Sequence, residues 1–262
     1  MSRRSSAGIL GACALALMIG LVAVGHAGTQ LGAAASNTPA HSTPASSLPA
    51  STTQGPVADA LEQAGLISEA SGADAIDAAS VTRMLDEIPV APAGTMAGYS
   101  RTAFGPAWAD TDHNGCDQRN DVLRRDMTDV TAKPGTHGCV VLTGHLDDPY
   151  TGKSIDFTRG EKTSTAVQVD HTVPEAWSFA HGAASWTAAQ REQFATDLNE
   201  LQATDGPTNE SKGDDGPATW LPPSTAYRCT YVTRFTYIVH SYGLTIDQPD
   251  KTAIQQVLST CR

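Results

Sequence analysis

Four cysteines behind an export leader constrain this chain more than any other feature. Cys116, Cys139, Cys229 and Cys261 are an even set, and in an exported protein such a set reads as two disulfides. Three pairings are open. The nearest-neighbour one closes loops of about 24 and 33 residues, each contributing about 3–4 kcal/mol on the chain-entropy account. A zinc site is disfavoured, because no C-x-x-C pair is present and export favours oxidation. The leader itself is residues 1–27, which read as a secretory signal peptide. Arg3 and Arg4 form the positive region, an apolar stretch runs from Ile9 to Val24, and Gly25-His26-Ala27 offers a small-x-small cleavage point. An uncleaved membrane anchor is the alternative, but the apolar run of about 16 residues is short for a span. Cys13 leaves with the leader. The expected product is a secreted, extracellular protein without stable membrane association.

Charge narrows the partners. The chain of 262 residues carries a net charge of −11, which argues against nucleic-acid binding through a general basic surface. Any such binding would need a local site. Residues 28–58 are dominated by Ala, Ser, Thr, Pro and Gly and read as a disordered linker. From residue 59 helix formers appear, interrupted by glycines, with the clearer helix at Ser80–Ile88. Residues 59–262 are therefore expected to form the ordered domain, of α+β class.

The stretch from 162 to 216 carries the chemistry. Thr165–Val169 alternates and is β-branched, predicting a strand that Asp170-His171 ends and Pro174 closes. Thr187–Leu198 reads as a helix with Thr187 as its N-cap. Asn199–Ala203 is a short extended piece, Asp205-Gly206-Pro207 a turn, and Asn209 opens a short helical segment carrying Lys212.

This pattern resembles the HNH, or His-Me finger, nucleases, whose core is two short strands and a helix around one divalent metal. The matching residues are Asp170-His171, Asn199 and Asn209. The resemblance extends from about residue 81 to 262, to a family of exported HNH-type proteins mostly from actinobacteria. Its recurring features stand here as G-Y-S-R at 98–101, N-G-C-D-Q-R-N-D at 114–121, D-P-Y-T-G at 148–152, D-H-T-V-P at 170–174, N-E-S-K-G at 209–213 and W-L-P-P at 220–223. The fold it implies is a ββα-metal finger embedded in a disulfide-stapled mixed domain with mainly helical flanks. The implied activity is hydrolysis of phosphodiester bonds in DNA, with RNA as a further substrate, leaving a 5′ phosphate. His171 would be the general base, since an imidazole pKa near 6.5 suits neutral pH. Asn199 would hold the other ring nitrogen and fix the tautomer. Asp170 and Asn209 would supply hard oxygen ligands, suited to Mg²⁺ first and also to Mn²⁺ or Ca²⁺. The position four after Asn209, where some relatives of this superfamily place a further ligand, is Gly213. Metal affinity is accordingly expected to be weak without substrate.

Other candidates are fewer. Lys212 shares a helical face with Asn209 and is expected to touch a phosphate. Arg119, inside a recurring motif, is the second candidate for nucleic-acid contact. Asp110–Asp121 nearly matches a calcium loop, but it ends in Asp121 instead of the longer Glu and contains Cys116; it reads better as an Asx-rich turn entering a helix. The tryptophans are expected to pack the core. In Tyr227–Cys261 the first stretch alternates in a way that allows a strand; the resemblance, and Ile254, Val257 and Leu258 on one face of the second stretch, favour two helices pinned by Cys229–Cys261. A non-catalytic extracellular binding module and a degenerate nuclease remain alternatives. A third reading is a toxin-like effector that requires an immunity partner; a monomer is expected.

Overall fold

The computed structural model of the chain describes residues 56–70 and 73–261. The leader and nearly all of the 28–58 linker lie outside the described residues. Among those described, no helix is long and apolar enough to cross a membrane.

The first part is mainly helical. Helix α1 (Pro56–Gln63) leads into an antiparallel hairpin, β1 (Ile67–Ala70) with β2 (Ala73–Ile76), and then α2 (Ala78–Glu87). The hairpin is a correction to the purely helical expectation for 59–88. Helix α2 begins where the Asp77 side chain accepts from the Ser80 amide, satisfying a donor the helix cannot. It buries Val81 and Leu85 against α7 (Arg228–Ser241), whose inner face is Tyr231, Val232, Phe235, Ile238 and Val239. Helix α8 (Gln248–Leu258) adds Ile254 and Leu258. Each such large apolar side chain, fully buried, stabilises by about 1.5–3 kcal/mol. Both C-terminal elements are thus helical: the first despite an alternation that would also suit a strand, the second as the spacing of Ile254, Val257 and Leu258 implied.

The second part is built on strands. Helix α3 (Gln118–Asp126) is followed by a three-stranded antiparallel sheet, β3 (Thr128–Ala132), β4 (Val141–Asp147) and β5 (Ser154–Thr158), in that order across the sheet. Strand β6 (Val167–His171) then pairs antiparallel with β7 (Leu201–Asp205). Between them the chain makes α4 (Glu175–Ala180) and α5 (Ala188–Thr196). Thr187 and Gln190 form a capping box at the start of α5. Helix α6 (Gly206–Lys212) follows β7 without a linker, because the Asp205 side chain caps it and Pro207 sits in its first turn. Gly206 is required there: a Cβ would overlap the Thr165 carbonyl.

Two apolar clusters result. One gathers α1, α2, α4, α5, α7 and α8; the other gathers α3, the sheet and the β6–β7 pair. Val169 belongs to the second and Val173 to the first, so Asp170 and His171 stand where the clusters meet. Each cluster has its own disulfide, Cys229–Cys261 beside the helices and Cys116–Cys139 between α3 and β4, with Cα separations of 5.8 and 5.0 Å. The nearest-neighbour pairing is the one formed.

Candidate functional site

A cavity of about 200 Å³ opens over the end of β6 and the start of α6. Asp170, His171, Glu175, Asn209, Tyr99 and Arg101 are among its lining residues. The backbone order that delivers them is strand, strand, helix. His171 pairs with Leu201 across the ladder, at the end of β6. Pro174 then turns the chain into α4 and places Glu175 one helical turn beyond His171.

His171 is held by main chain. Its Nε2 lies 3.0 Å from the Ala195 carbonyl, in the last turn of α5. A carbonyl only accepts, so Nε2 carries the proton and Nδ1 keeps its lone pair. That carbonyl is one of the final ones a helix leaves unbonded, and the helix end is electronegative, which suits a ring that takes up a proton. The ring is largely buried, and burial pushes its pKa below 6.5, with Glu175 opposing at 3.7 Å from Nε2. The imidazole is therefore neutral at pH 7. No partner holds Nδ1 among the described residues.

Asp170 is 6% exposed, and its Oδ2 accepts from two groups. Tyr150 donates its hydroxyl at 2.5 Å, and Lys212 its ammonium at 2.6 Å. Burial, reinforced by Asp170, pushes the Tyr150 phenol well above its usual range, so it remains a donor. The D-P-Y-T-G motif explains its arrival. Buried Asp148 accepts from the Thr151 amide at 2.8 Å and from the Asp205 amide at 3.0 Å, pinning that loop to the end of β7. Oδ1 of Asp170 has no protein partner among the described residues. Asn209 is oriented by a relay. The Glu210 carboxylate accepts from Gln168 Nε2 at 3.0 Å, which turns Gln168 Oε1 toward Asn209 Nδ2 at 2.9 Å. Among the described residues, Asn209 Oδ1 has no partner.

Three residues expected at the site are engaged by other groups of the fold. Lys212 is 0% exposed; its ammonium bonds Asp170 and, at 2.5 Å, the His171 carbonyl, so it braces the site and does not meet solvent. Arg119 is half-buried and donates to the Ser164 and Val167 carbonyls, tying α3 to the start of β6. Asn199 does not reach His171. Its carbonyl accepts from Arg234 Nε at 2.7 Å, and its side-chain oxygen is buried with no partner among the described residues. Ala195 fills the place expected of it.

Several residues of the site went unnoticed in the sequence. Glu200 is fully buried and accepts from the Val173 amide at 2.8 Å, while its carbonyl accepts from Thr172 at 3.0 Å. Burial raises its carboxyl well above the usual range. Arg234, 3% exposed, donates to the Leu201 carbonyl at 2.8 Å and to Gln202, clamping β7 from α7. Glu175 and Arg101 form an ion pair at 3.3 Å over the cavity. Arg101 lay inside the G-Y-S-R motif, the one signal that could have singled it out.

Elsewhere the expectations fare differently. The Asp110–Asp121 stretch folds as an Asx-rich turn. Asp110 accepts from the Gly115 amide, Asp112 from Asn114, and Asp117 caps α3. Among the described residues, no three His, Cys, Asp or Glu side chains gather as a metal-ligand group. Trp177 is buried in the helical cluster, where Trp186 and Trp220 also pack, and Trp108 packs on the other.

These features define a disulfide-stapled α+β domain with a histidine, a carboxylate and an amide around one cavity. Residues 117–257 match the model of the family described as GmrSD restriction endonucleases, C-terminal domain, and the chain belongs to that family. An uncharacterized secreted protein from the fungus Arthroderma benhamiae is 36% identical over 186 residues, which are 70% of this chain and 86% of that protein. No solved structure matches the chain.

Proposed function

We propose that the protein is a secreted, metal-dependent endonuclease that hydrolyses phosphodiester bonds of DNA, with RNA as a second substrate. Family membership supports a nuclease-related role, and the secreted fungal relative and the two disulfides fit an extracellular setting. The observation that carries the mechanism is His171, locked through Nε2 by a main-chain carbonyl, in one cavity with an Asp170 and an Asn209 oxygen, where its Nδ1 and both oxygens have no partner among the described residues. We read β6, β7 and α6 as a ββα-metal finger of HNH type.

The donor set fits a hard cation: one carboxylate oxygen of Asp170 and one amide oxygen of Asn209, with water and phosphate left to complete the shell. A divalent ion there, Mg²⁺ first, would neutralise the scissile phosphate and stabilise the leaving 3′ oxygen. His171 Nδ1 takes a proton from the attacking water. Glu175 and the end of α5 stabilise the resulting imidazolium. Tyr150 and Lys212 hold Asp170 in place. No separate base-reading element accompanies the cavity among the described residues, so low sequence preference follows.

The test is cleavage of plasmid DNA and single-stranded RNA by the purified, disulfide-bonded protein in EDTA, Mg²⁺, Mn²⁺ or Ca²⁺, beside His171→Ala. Metal-dependent nicking that the variant loses supports the reading. Wild-type activity in the variant, or none in a folded wild type, would transfer the weight to a degenerate nuclease or a binding module.

A further inference from the structure

A polyanion entering this cavity meets a problem of charge. The lining includes Asp170, Glu175, Glu210 and Asp214, and the chain as a whole is acidic. Base-independent affinity needs cations facing phosphates. Lys212 is sealed inside, and Arg119, half-buried and not among the cavity's lining residues, ties one terminal nitrogen to the Ser164 and Val167 carbonyls. Among the described lining residues, Arg101 is the one cation left at the surface. Its side chain is 82% exposed, and its one partner among the described residues is Glu175, through Nε at 3.3 Å. Both terminal nitrogens of the fork are unpartnered among the described residues.

Its backbone is nevertheless fixed. Arg101 opens a 3-10 turn, Arg101–Phe104, whose Phe104 is buried against Phe194 of α5. The Ala103 carbonyl of that turn accepts from Arg191 at 2.9 Å. Tyr99, just before it, packs edge-on against Phe179 of α4. A free guanidinium on a rigid turn, beside the general base, is the arrangement that grips a phosphate in two-pronged fashion.

We propose that Arg101 binds a backbone phosphate of the nucleic acid at the mouth of the cavity, exchanging its contact with Glu175 for that phosphate. The proposal rests on the endonuclease reading for its substrate. Glu175, 3.7 Å from His171 Nε2, gives up its Arg101 contact in that exchange.

The experiment uses the full exported protein and a fluorescein-labelled duplex oligonucleotide with its single-stranded counterpart. Binding is measured in the His171→Ala background across salt concentrations, and cleavage in the otherwise wild-type protein. Arg101→Ala should raise KM about tenfold or more and lower the slope of log affinity against log salt by about 0.7–0.9, one phosphate's share. Arg101→Lys should restore the slope but only part of the KM, because an ammonium lacks the fork. Arg83→Ala, an exposed arginine on α2, serves as control and should change neither. An Arg101→Ala protein with the control's KM and salt slope would overturn the proposal. If the wild type binds but never cuts, the endonuclease reading fails while the salt slope still decides on Arg101. If it neither binds nor cuts, both fall.

Discussion

Replacing Lys212 by Met separates a bracing role from a phosphate-binding one. The side chain is 0% exposed, its ammonium lies 2.6 Å from Asp170 Oδ2 and 2.5 Å from the His171 carbonyl, and Trp220 stacks near it at 6.0 Å. Methionine keeps most of the volume, so the packing loss is small. What disappears is the positive partner of a carboxylate that is itself 6% exposed. Breaking a buried pair from one side costs about 3–5 kcal/mol. For a domain of this size that lowers Tm by about 6–20 °C at roughly 2–4 °C per kcal/mol. The assay is a thermal melt, paired with a cycle containing Asp170→Asn and the double variant. The double should recover part of the loss, since it removes the stranded charge. Salt dependence of nucleic-acid binding should be unchanged. A Lys212→Met protein with wild-type Tm and a reduced salt slope would refute the reasoning and restore the surface phosphate contact expected of this lysine.

Further outcomes follow from the same geometry. Glu175→Gln removes the anion that opposes the downward shift of His171; the ring then protonates only at lower pH, and the acid limb of kcat/KM, already expected below pH 6.5, moves further down. An acid limb that rises instead would sink this assignment. Gly206→Ala forces a Cβ into the Thr165 carbonyl and should cost about 1–3 kcal/mol in a denaturant melt, with β6 and α6 separating. An unchanged midpoint would contradict the close approach. Reducing both disulfides should lower stability by about 3–4 kcal/mol for each loop, read as a shifted urea midpoint. A coincident melt with and without reductant would argue against their structural role.

How much of this was legible beforehand depended on how local the cause was. Val167 and Val169 announce β6 by alternation, and Thr187 announces α5 by its cap, because both causes lie within a few residues. The cysteines declared two covalent ties but not which pairs formed, since pairing is decided by where α3, β4, α7 and α8 pack. The β1–β2 hairpin was missed because Ala, Ser, Asp and Glu dominate it, and such residues favour strands only when tertiary contacts select them. Lys212 was misplaced for a related reason: helical spacing gives the face it shares with Asn209, not what covers that face. Asp170, His171 and Asn209, which the resemblance singled out, line one cavity, while Asn199 is drawn away by Arg234 from α7. Tyr150, Glu200 and Arg234 escaped notice because their partners lie 20 to 35 residues away.

The bond between His171 and the Ala195 carbonyl has a consequence for how this protein can change over time. A side-chain partner can be lost in one substitution. A main-chain oxygen is supplied by every residue type, so position 195 can drift among helix formers while the imidazole keeps its orientation. The point of vulnerability moves from that residue to the residues that decide where α5 ends. An insertion or deletion of one residue between Thr187 and Thr196 would rotate that helix end by about 100°, at 3.6 residues per turn, and present a different carbonyl to the ring. Length, not identity, is what selection must hold constant there.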